Sequence, residues 1–408
     1  LNKLVDHPDR QSARAMKALH FPVAFPEVFL RDRPGFDALI GNPPWEEVKV
    51  ERLGFWLLRF PGLKSLKQKD QRHRLDELEA AYPAVRQEFE REFGWAERLR
   101  IILNNGPFPG MGTGDADLYK AFCWRFWHLV REDGGIGVVL PRSALSANGS
   151  TAWRNAVLEM GTFHEVTFMT NTRGWVFDEA EHRYTIALAA IRKGQKHSGA
   201  LHMRGPYNSY NAYAEGLKKR AARLERAAFT SWTDTASFPL IPSPEAFDVF
   251  VRLRAHPRLD AKTGDWRALP IRELDATNDR KHMILSADQT ERLWPVYKGA
   301  SFDLWNPDTG EYYAHADPQY ITGVLQDKRR RQQRHARSAF SAFFAQWVND
   351  PDTLPCRHPR IAFRGISNRT NTRTVVAALV PGQVVLTNAA PYLLWQRGSE
   401  KDAAYFLG

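Results

Sequence analysis

Apolar and polar positions sort the chain into an α/β half followed by a turn-rich half. Residues 36–44, FDALIGNPP, read as a short buried strand, FDALI, halted by a Gly-Asn-Pro-Pro turn. Residues 46–104 interleave Glu, Lys and Arg with Leu, Phe and Trp at spacings of three and four, which predicts a helical excursion on the surface. DLYKAFCWRFWHLV, residues 117–130, predicts an apolar helix with Asp117 near its start, ended by Asp133-Gly134-Gly135. GIGVVLP (135–141) follows as a second short buried strand and TAWRNAVLEM (151–160) as another helix. FHEVTFM (163–169) and HRYTIALAAIRK (182–193) are two more strands, joined by a turn-rich segment that carries Phe177. This order predicts an α/β layout with a parallel sheet and an antiparallel finish. Residues 196–240 are polar and irregular and read as a linker. From 241 onward the elements shorten and turn residues multiply; RIAFRGIS (360–367) and RTVVAALVP (373–381) are strand-like. No internal repeat is evident.

Composition narrows the class. At 408 residues the chain is long enough for two or three domains, and 43% hydrophobic with 12% aromatic residues excludes wholesale disorder. Two Cys cannot build a disulfide framework or a Cys-rich zinc site, which points to a reducing, cytoplasmic setting. The most apolar stretch, residues 375–396, is interrupted by Pro, Gly, Gln and Asn, so no membrane span is expected. No signal-peptide pattern opens the chain.

Charge adds a partner class. Lys and Arg number 57 against 46 Asp and Glu, a net +11. The surplus is +4 over residues 1–250 (34 basic, 30 acidic) and +7 over 251–408 (23 basic, 16 acidic). Its densest part is KRRRQQRHAR, in which Lys328, Arg329, Arg330, Arg331, Arg334 and Arg337 are candidates for neutralising the phosphates of a polyanionic partner. A solvated helix face is the plainer alternative. SAFSAFFAQWV (338–348) follows with helical apolar spacing, so the run is expected to lead into an amphipathic helix.

The sharpest chemical signal is Asn42-Pro43-Pro44-Trp45. An Asn-Pro-Pro-aromatic sequence arises by chance in roughly one chain in several hundred, and here it follows a strand, where open α/β sheets place their active sites. A plain Pro-Pro turn with a packing Trp is the alternative. An exocyclic amino nitrogen on a purine is a poor nucleophile because its lone pair is delocalised into the ring. Two acceptors aimed at its N–H bonds favour a pyramidal nitrogen with the lone pair turned outward. Asn42 offers a side-chain oxygen, and Pro43 a backbone carbonyl on a stiff Pro-Pro backbone. Such preorganisation needs neither a metal nor a covalent nucleophile.

Residues 21–45, FPVAFPEVFLRDRPGFDALIGNPPW, resemble the segment leading into the catalytic motif of the amino-group, adenine-specific DNA methyltransferases, in particular those of fused restriction-modification and phage-exclusion systems. The resemblance continues through DLYKAF (117–122), GGIGVVLPRSAL (134–145), VFDEAEHRYTIALAAIRKG (176–194) and RIAFRGISNRTNTRTVVAALVP (360–381), in the family's order. It implies the C-terminal half of a Rossmann-like S-adenosylmethionine-dependent methyltransferase sheet, joined to a mixed α+β target recognition domain. The implied cofactor is S-adenosylmethionine, and the implied partner is double-stranded DNA, with a fused or separate nuclease or other defence subunits. A target base must be flipped out of the duplex, and Trp45 supplies an aromatic face for it. By resemblance Phe177 stacks on the base's other face, and Phe122 lines the cofactor's adenine pocket; core packing explains Phe177 and Phe122 as well.

On this reading residues 1–34 end an upstream region and 35–195 form the catalytic half, with the helical insertion at 46–104. Residues 196–240 are the linker, and 241–408 a truncated recognition domain. The family's glycine-rich cofactor turn should precede Asn42 and is not found in the residues before it, so the expectation is a fragment, inactive by itself. Gly110-Met111-Gly112-Thr113-Gly114 imitates such a turn but follows no clear strand, and is expected to be a flexible loop near the catalytic face. Tyr312, Tyr313 and His315 have no nuclease-like spacing around them, and no metal site is expected. Two alternatives remain: a methyltransferase acting on protein glutamine or an RNA base, and a DNA-binding specificity module without catalysis.

Overall fold

The computed structural model describes residues 19–194, 199–232, 234–241, 243–285, 292–336, 338–368, 371–398 and 400–407. The chain divides into two compact units, Leu1–Arg254 and Ala255–Gly408.

The first unit is built on a six-stranded mixed sheet: β1 (Phe36–Gly41), β2 (Val130–Pro141), β3 (Gly161–Thr170), β4 (Thr185–Lys193), β5 (Leu201–Tyr207) and β6 (Ala222–Leu224), in the order β1-β2-β4-β3-β5-β6. β1 runs parallel to β2, and β4 lies antiparallel to both β2 and β3. Strands β1, β2 and β3 therefore share one direction, and their carboxyl ends share one edge of the sheet. The antiparallel finish is present, with β4 inserted between β2 and β3. Helices α1 (Arg52–Arg59), α2 (Gln68–Ala81) and α3 (Pro83–Asn105) occupy the expected helical excursion. Helix α4 (Leu118–Leu129) links it to β2, and α5 (Thr151–Met160) links β2 to β3. Trp127, Trp153, Phe163, Val166 and Phe168 anchor the core around the sheet.

Three sequence expectations change here. β1 is an edge strand rather than a buried one: among the described residues it has one neighbour, and Ile40 is 89% exposed. Asp133-Gly134-Gly135 lies inside β2 rather than before it. Asp133 adopts φ 61°, and the β1–β2 register shifts between Phe36 and Ala38, so the glycines form an irregularity within the strand. The segment read as a linker supplies β5, β6, α6 (Tyr210–Leu217) and α7 (Arg226–Trp232) to the first unit. Leu201 and Met203 alternate into the core, and Phe229, Trp232 and Phe238 close over it. These few apolar side chains sit among polar neighbours, which hid them. Helix α8 (Pro244–Arg254) ends the unit, so the boundary falls at Arg254/Ala255 rather than at 240/241.

Ahead of β1, Phe21, Phe25 and Phe29 surround the ring of Phe36 with centroids at 6.1, 5.7 and 5.4 Å. Arg31 (3.0 Å) and Arg131 (2.6 Å) clasp Asp37 and hold its carboxyl down at about 2.

The second unit carries a four-stranded sheet in the order β11-β10-β13-β7, with β7 at Arg267–Ile271, β10 at Arg360–Phe363, β11 at Ala377–Val380 and β13 at Tyr392–Arg397. A three-stranded sheet is ordered β12-β8-β9, with β8 at Trp294–Tyr297, β9 at Ala314–Ala316 and β12 at Val385–Leu386. Helix α9 (Pro318–Gln333) opens on Asp317, whose side chain accepts from the Tyr320 amide. The strand-like reading of 360–367 and 373–381 is met by the β10–β11 antiparallel pair. Among the described residues no helix is long and apolar enough to cross a membrane.

Candidate functional site

The Asn-Pro-Pro-Trp motif leaves the carboxyl end of β1. Gly41 closes the strand where a Cβ would stand 3.1 Å from the Phe126 ring of α4, so a side chain there would push that ring aside. Asn42 is exposed, Pro43 buried and Pro44 exposed. A residue ahead of proline is steered to extended backbone, and both Asn42 and Pro43 are such residues, which stiffens the exit from the strand. Beyond the motif the chain is stapled to the start of α4. The Leu118 amide donates to Glu46 O (2.9 Å), the Val48 amide donates to Ala116 O (3.0 Å), and Glu47 bridges Asp117. The motif is thus held at both ends.

Trp45 packs half-buried against the core of the first unit. Its ring meets Phe177 edge-on, with centroids 5.8 Å apart and planes at 83°. The two residues arrive from different loops at the same edge of the sheet, since Phe177 lies in the connection that leaves the carboxyl end of β3. A base sandwiched between two aromatic faces needs them about 7 Å apart and parallel, at 3.5–4.0 Å per contact. The rings touch in a closed arrangement, and admitting a base requires one of them to turn.

Sequence reasoning missed the residue that shapes the Phe177 loop. Asn171 is fully buried. Its Nδ2 donates to Phe177 O (2.9 Å) and Ala180 O (3.2 Å), and its Oδ1 accepts from the amides of Val176 (3.1 Å) and Phe177 (3.0 Å). Trp175 Nε1 donates to Thr170 O at 2.7 Å, and Gly174 supplies φ +73° for the turn. No local pattern advertises a lone Asn after a strand.

Phe122 is half-buried on α4, one helical turn before Phe126, and the rings meet at 6.0 Å. Through Phe126 it reaches the end of β1. The glycine-rich segment is docked rather than loose. Met111 is 1% exposed, and a Cβ on Gly110 would strike Gly149 O. Buried Lys120 Nζ donates to the carbonyls of Thr113 (3.3 Å) and Asp115 and pairs with Asp117 (3.3 Å). Carbonyls turned onto a lysine do not cradle a phosphate.

In the second unit the basic run divides. It is the last part of α9, not a prelude to a long helix: a 3₁₀ turn at Ala339–Ala342 and a short helix at Ala345–Asn349 follow. Ile321, Thr322, Leu325, Gln326 and Arg329 form the buried stripe of α9. Arg329 is 2% exposed; it donates to Thr353 O (3.0 Å), Asp350 O (2.7 Å) and Gln326 Oε1 (2.7 Å), and lies over the Trp347 ring. Lys328 Nζ donates to Glu273 O (2.9 Å) and to Asp279 Oδ2 (2.6 Å). Lys328 and Arg329 are therefore internal ties, not phosphate contacts. Arg330 is exposed and bonds Asn349 Oδ1 at 2.9 Å; Arg331 and Arg334 are exposed, and Arg337 lies outside the described residues.

Tyr312 stacks on Tyr297 at 5.6 Å, Tyr313 donates to Ala276 O, and His315 belongs to β9. Among the described residues no group of three His, Cys, Asp or Glu gathers as a metal site.

No protein-family model and no curated protein matches this chain. Solved structures it is similar to include restriction-modification enzymes. The type IIG restriction endonuclease BpuSI is 13% identical, with a TM-score of 0.26 over 78% of this chain and 40% of that one. The type IIL enzyme MmeI in complex with DNA is 11% identical, with a TM-score of 0.38 over 87% of this chain and 40% of that one. The ATP-dependent type ISP enzyme LlaBIII bound to DNA is 12% identical, with a TM-score of 0.26 over 85% of this chain and 20% of that one. The chain spans two fifths of the length of the first two and one fifth of the third.

Proposed function

We propose that this chain is the catalytic and target-reading part of a DNA methyltransferase that modifies the exocyclic amino group of adenine, in a restriction or phage-defence setting. The observation that carries the reading is the meeting of Trp45 and Phe177 beside an exposed Asn42 and a rigid Pro43, at the carboxyl edge of the sheet.

In this mechanism the flipped adenine stacks on Trp45, with Phe177 turned to cover its other face. Asn42 Oδ1 and the Pro43 carbonyl each accept one N–H of the amino group and hold its nitrogen pyramidal. S-adenosylmethionine, when bound, supplies an electrophilic methyl on a sulfonium sulfur. Phe122, with the Phe126 ring set edge-on to it at 6.0 Å, would line the adenine ring of that cofactor. The excess proton on the methylated nitrogen passes to water beside Asn42 Oδ1 or the Pro43 carbonyl, which accept hydrogen bonds but are too weakly basic to keep it. No metal takes part.

The second unit is proposed to read the target, with its exposed arginines on phosphates. Arg331→Ala and Arg334→Ala should each lower the slope of log affinity against log salt by about one. Arg329→Ala should instead destabilise the fold. Fluorescence anisotropy with non-specific duplex at several salt concentrations, alongside thermal unfolding, separates the two classes. Unchanged salt slopes for both exposed arginines would remove this helix from the DNA interface.

A further inference from the structure

We propose that Asn171 is the positioning residue of the site: it fixes the backbone of the Phe177 loop, so that closure on a flipped base is a rotation of the Phe177 ring and not a movement of the loop. The inference rests on the function proposed above and assigns a role to a residue that touches neither base nor cofactor.

The geometry argues for it in three steps. The Asn171 side chain has two donors and two acceptor lone pairs, and all four are engaged, each with the main chain of residues 176–180. The Phe177 residue is held from both sides, its carbonyl accepting from Nδ2 and its amide donating to Oδ1. The Asn171 side chain is fully buried, so loosening the loop would leave its amide oxygen and nitrogen without partners. The aromatic ring has no such restraint. It is half-buried and meets Trp45 edge-on at 83°, an arrangement that must change for a base to enter between the rings. With the backbone pinned, the remaining freedom is the Phe177 side-chain torsion. The Asn171 amide also donates to Tyr184 O at 2.9 Å, which closes the loop at its base, and the indole of Trp175 is tied to Thr170 O. The loop is therefore a rigid mount for one swinging ring.

The test is a double-substitution cycle in the whole protein, after the target has been located by sequencing methylated DNA. Single-turnover methyl transfer at saturating duplex is measured for the wild type, Asn171→Ala, Phe177→Ala and the pair. Base stacking on an aromatic ring sets the scale, so each single variant should slow transfer by about tenfold or more. The pair should be no slower than Phe177→Ala alone, because Asn171 acts through that ring. A duplex with the target adenine mispaired is easier to flip, and should recover much of the loss in Asn171→Ala. A merely structural defect would leave the mispaired and paired substrates equally slow. Multiplying defects in the pair, or no gain on the mispaired duplex, would overturn the proposal.

If Asn171→Ala does not fold, Asn171→Asp keeps the two acceptors for the Val176 and Phe177 amides and is put through the same cycle. Hydrogen exchange on the unsubstituted protein needs no variant. The amides of Val176 and Phe177 should be strongly protected, and rapid exchange there would equally overturn the pinned loop. Absence of transfer by the wild type would instead refute the proposed function, while the exchange measurement would still judge the loop.

Discussion

Asn42→Ala is expected to lower the rate of methyl transfer about 100- to 1,000-fold, while the affinities for DNA and S-adenosylmethionine change by no more than a few-fold. The magnitude follows from removing one preorganised polar group from a site where charge shifts during reaction. The Pro43 carbonyl and the Trp45 face remain, so binding of the flipped base survives. Asn42 is exposed and follows the end of β1, so the substitution leaves the core untouched. The loss should appear in kcat rather than in KM for DNA, because the acceptor is needed when the nitrogen turns pyramidal. Single-turnover transfer with matched binding isotherms checks this. A variant that keeps its rate would show that Asn42 holds no proton of the substrate.

The second large effect concerns stability in the second unit. Glu273 and Arg360 are both 7% exposed, and Arg360 Nη2 donates to the two carboxylate oxygens at 2.9 and 2.8 Å. Glu273 Oε2 also accepts from the Leu386 amide (2.7 Å), and Arg360 Nη2 donates to Val384 O (3.1 Å). The pair ties the segment after β7 to β10 and β12. Burial nevertheless pushes the Glu273 carboxyl above its ordinary value, against the pull of Arg360. A buried ion pair of this kind adds little net stability, because removing both charges from water offsets their attraction. Its danger lies in being broken. Glu273→Leu or Arg360→Met alone should cost about 3–5 kcal/mol, because each leaves one uncompensated buried charge. The double variant should recover most of that. Urea unfolding of all four proteins decides the point, and a double variant as unstable as the sum of the singles would refute the argument.

Local pattern made much of the first unit legible. Apart from β2, which begins at Val130 and takes in Asp133-Gly134-Gly135, the main strands and helices from Phe36 to Lys193 lie close to where apolar runs and helical spacing place them. The failures have physical causes. FDALI is apolar but for Asp37 and reads as a buried strand, yet Ile40 stands on a sheet edge; composition does not say which strands have neighbours on both sides. Residues 196–240 read as a linker because the large side chains that reach the core, among them Leu201, Met203, Leu224, Phe229, Trp232 and Phe238, stand apart among polar flanks. Arg329 could have been sorted from its neighbours, since it continues the stripe Ile321, Leu325 at helical spacing. Counting charge along the run obscured that phase. At the site, Asn42 to Trp45 were conspicuous because the motif is contiguous, and Phe177 came only through resemblance. Asn171 was invisible, because its role exists only when the loop folds around it.

The most direct measurement is nucleoside analysis of DNA treated with the full-length protein. Unmethylated duplex is incubated with S-adenosylmethionine bearing an isotopically labelled methyl group, digested, and resolved by mass spectrometry. The account predicts labelled N6-methyldeoxyadenosine, absent when Asn42→Ala is used. Label on cytosine, on RNA or on protein, or no labelled nucleoside from a preparation that binds both DNA and the cofactor, would contradict it.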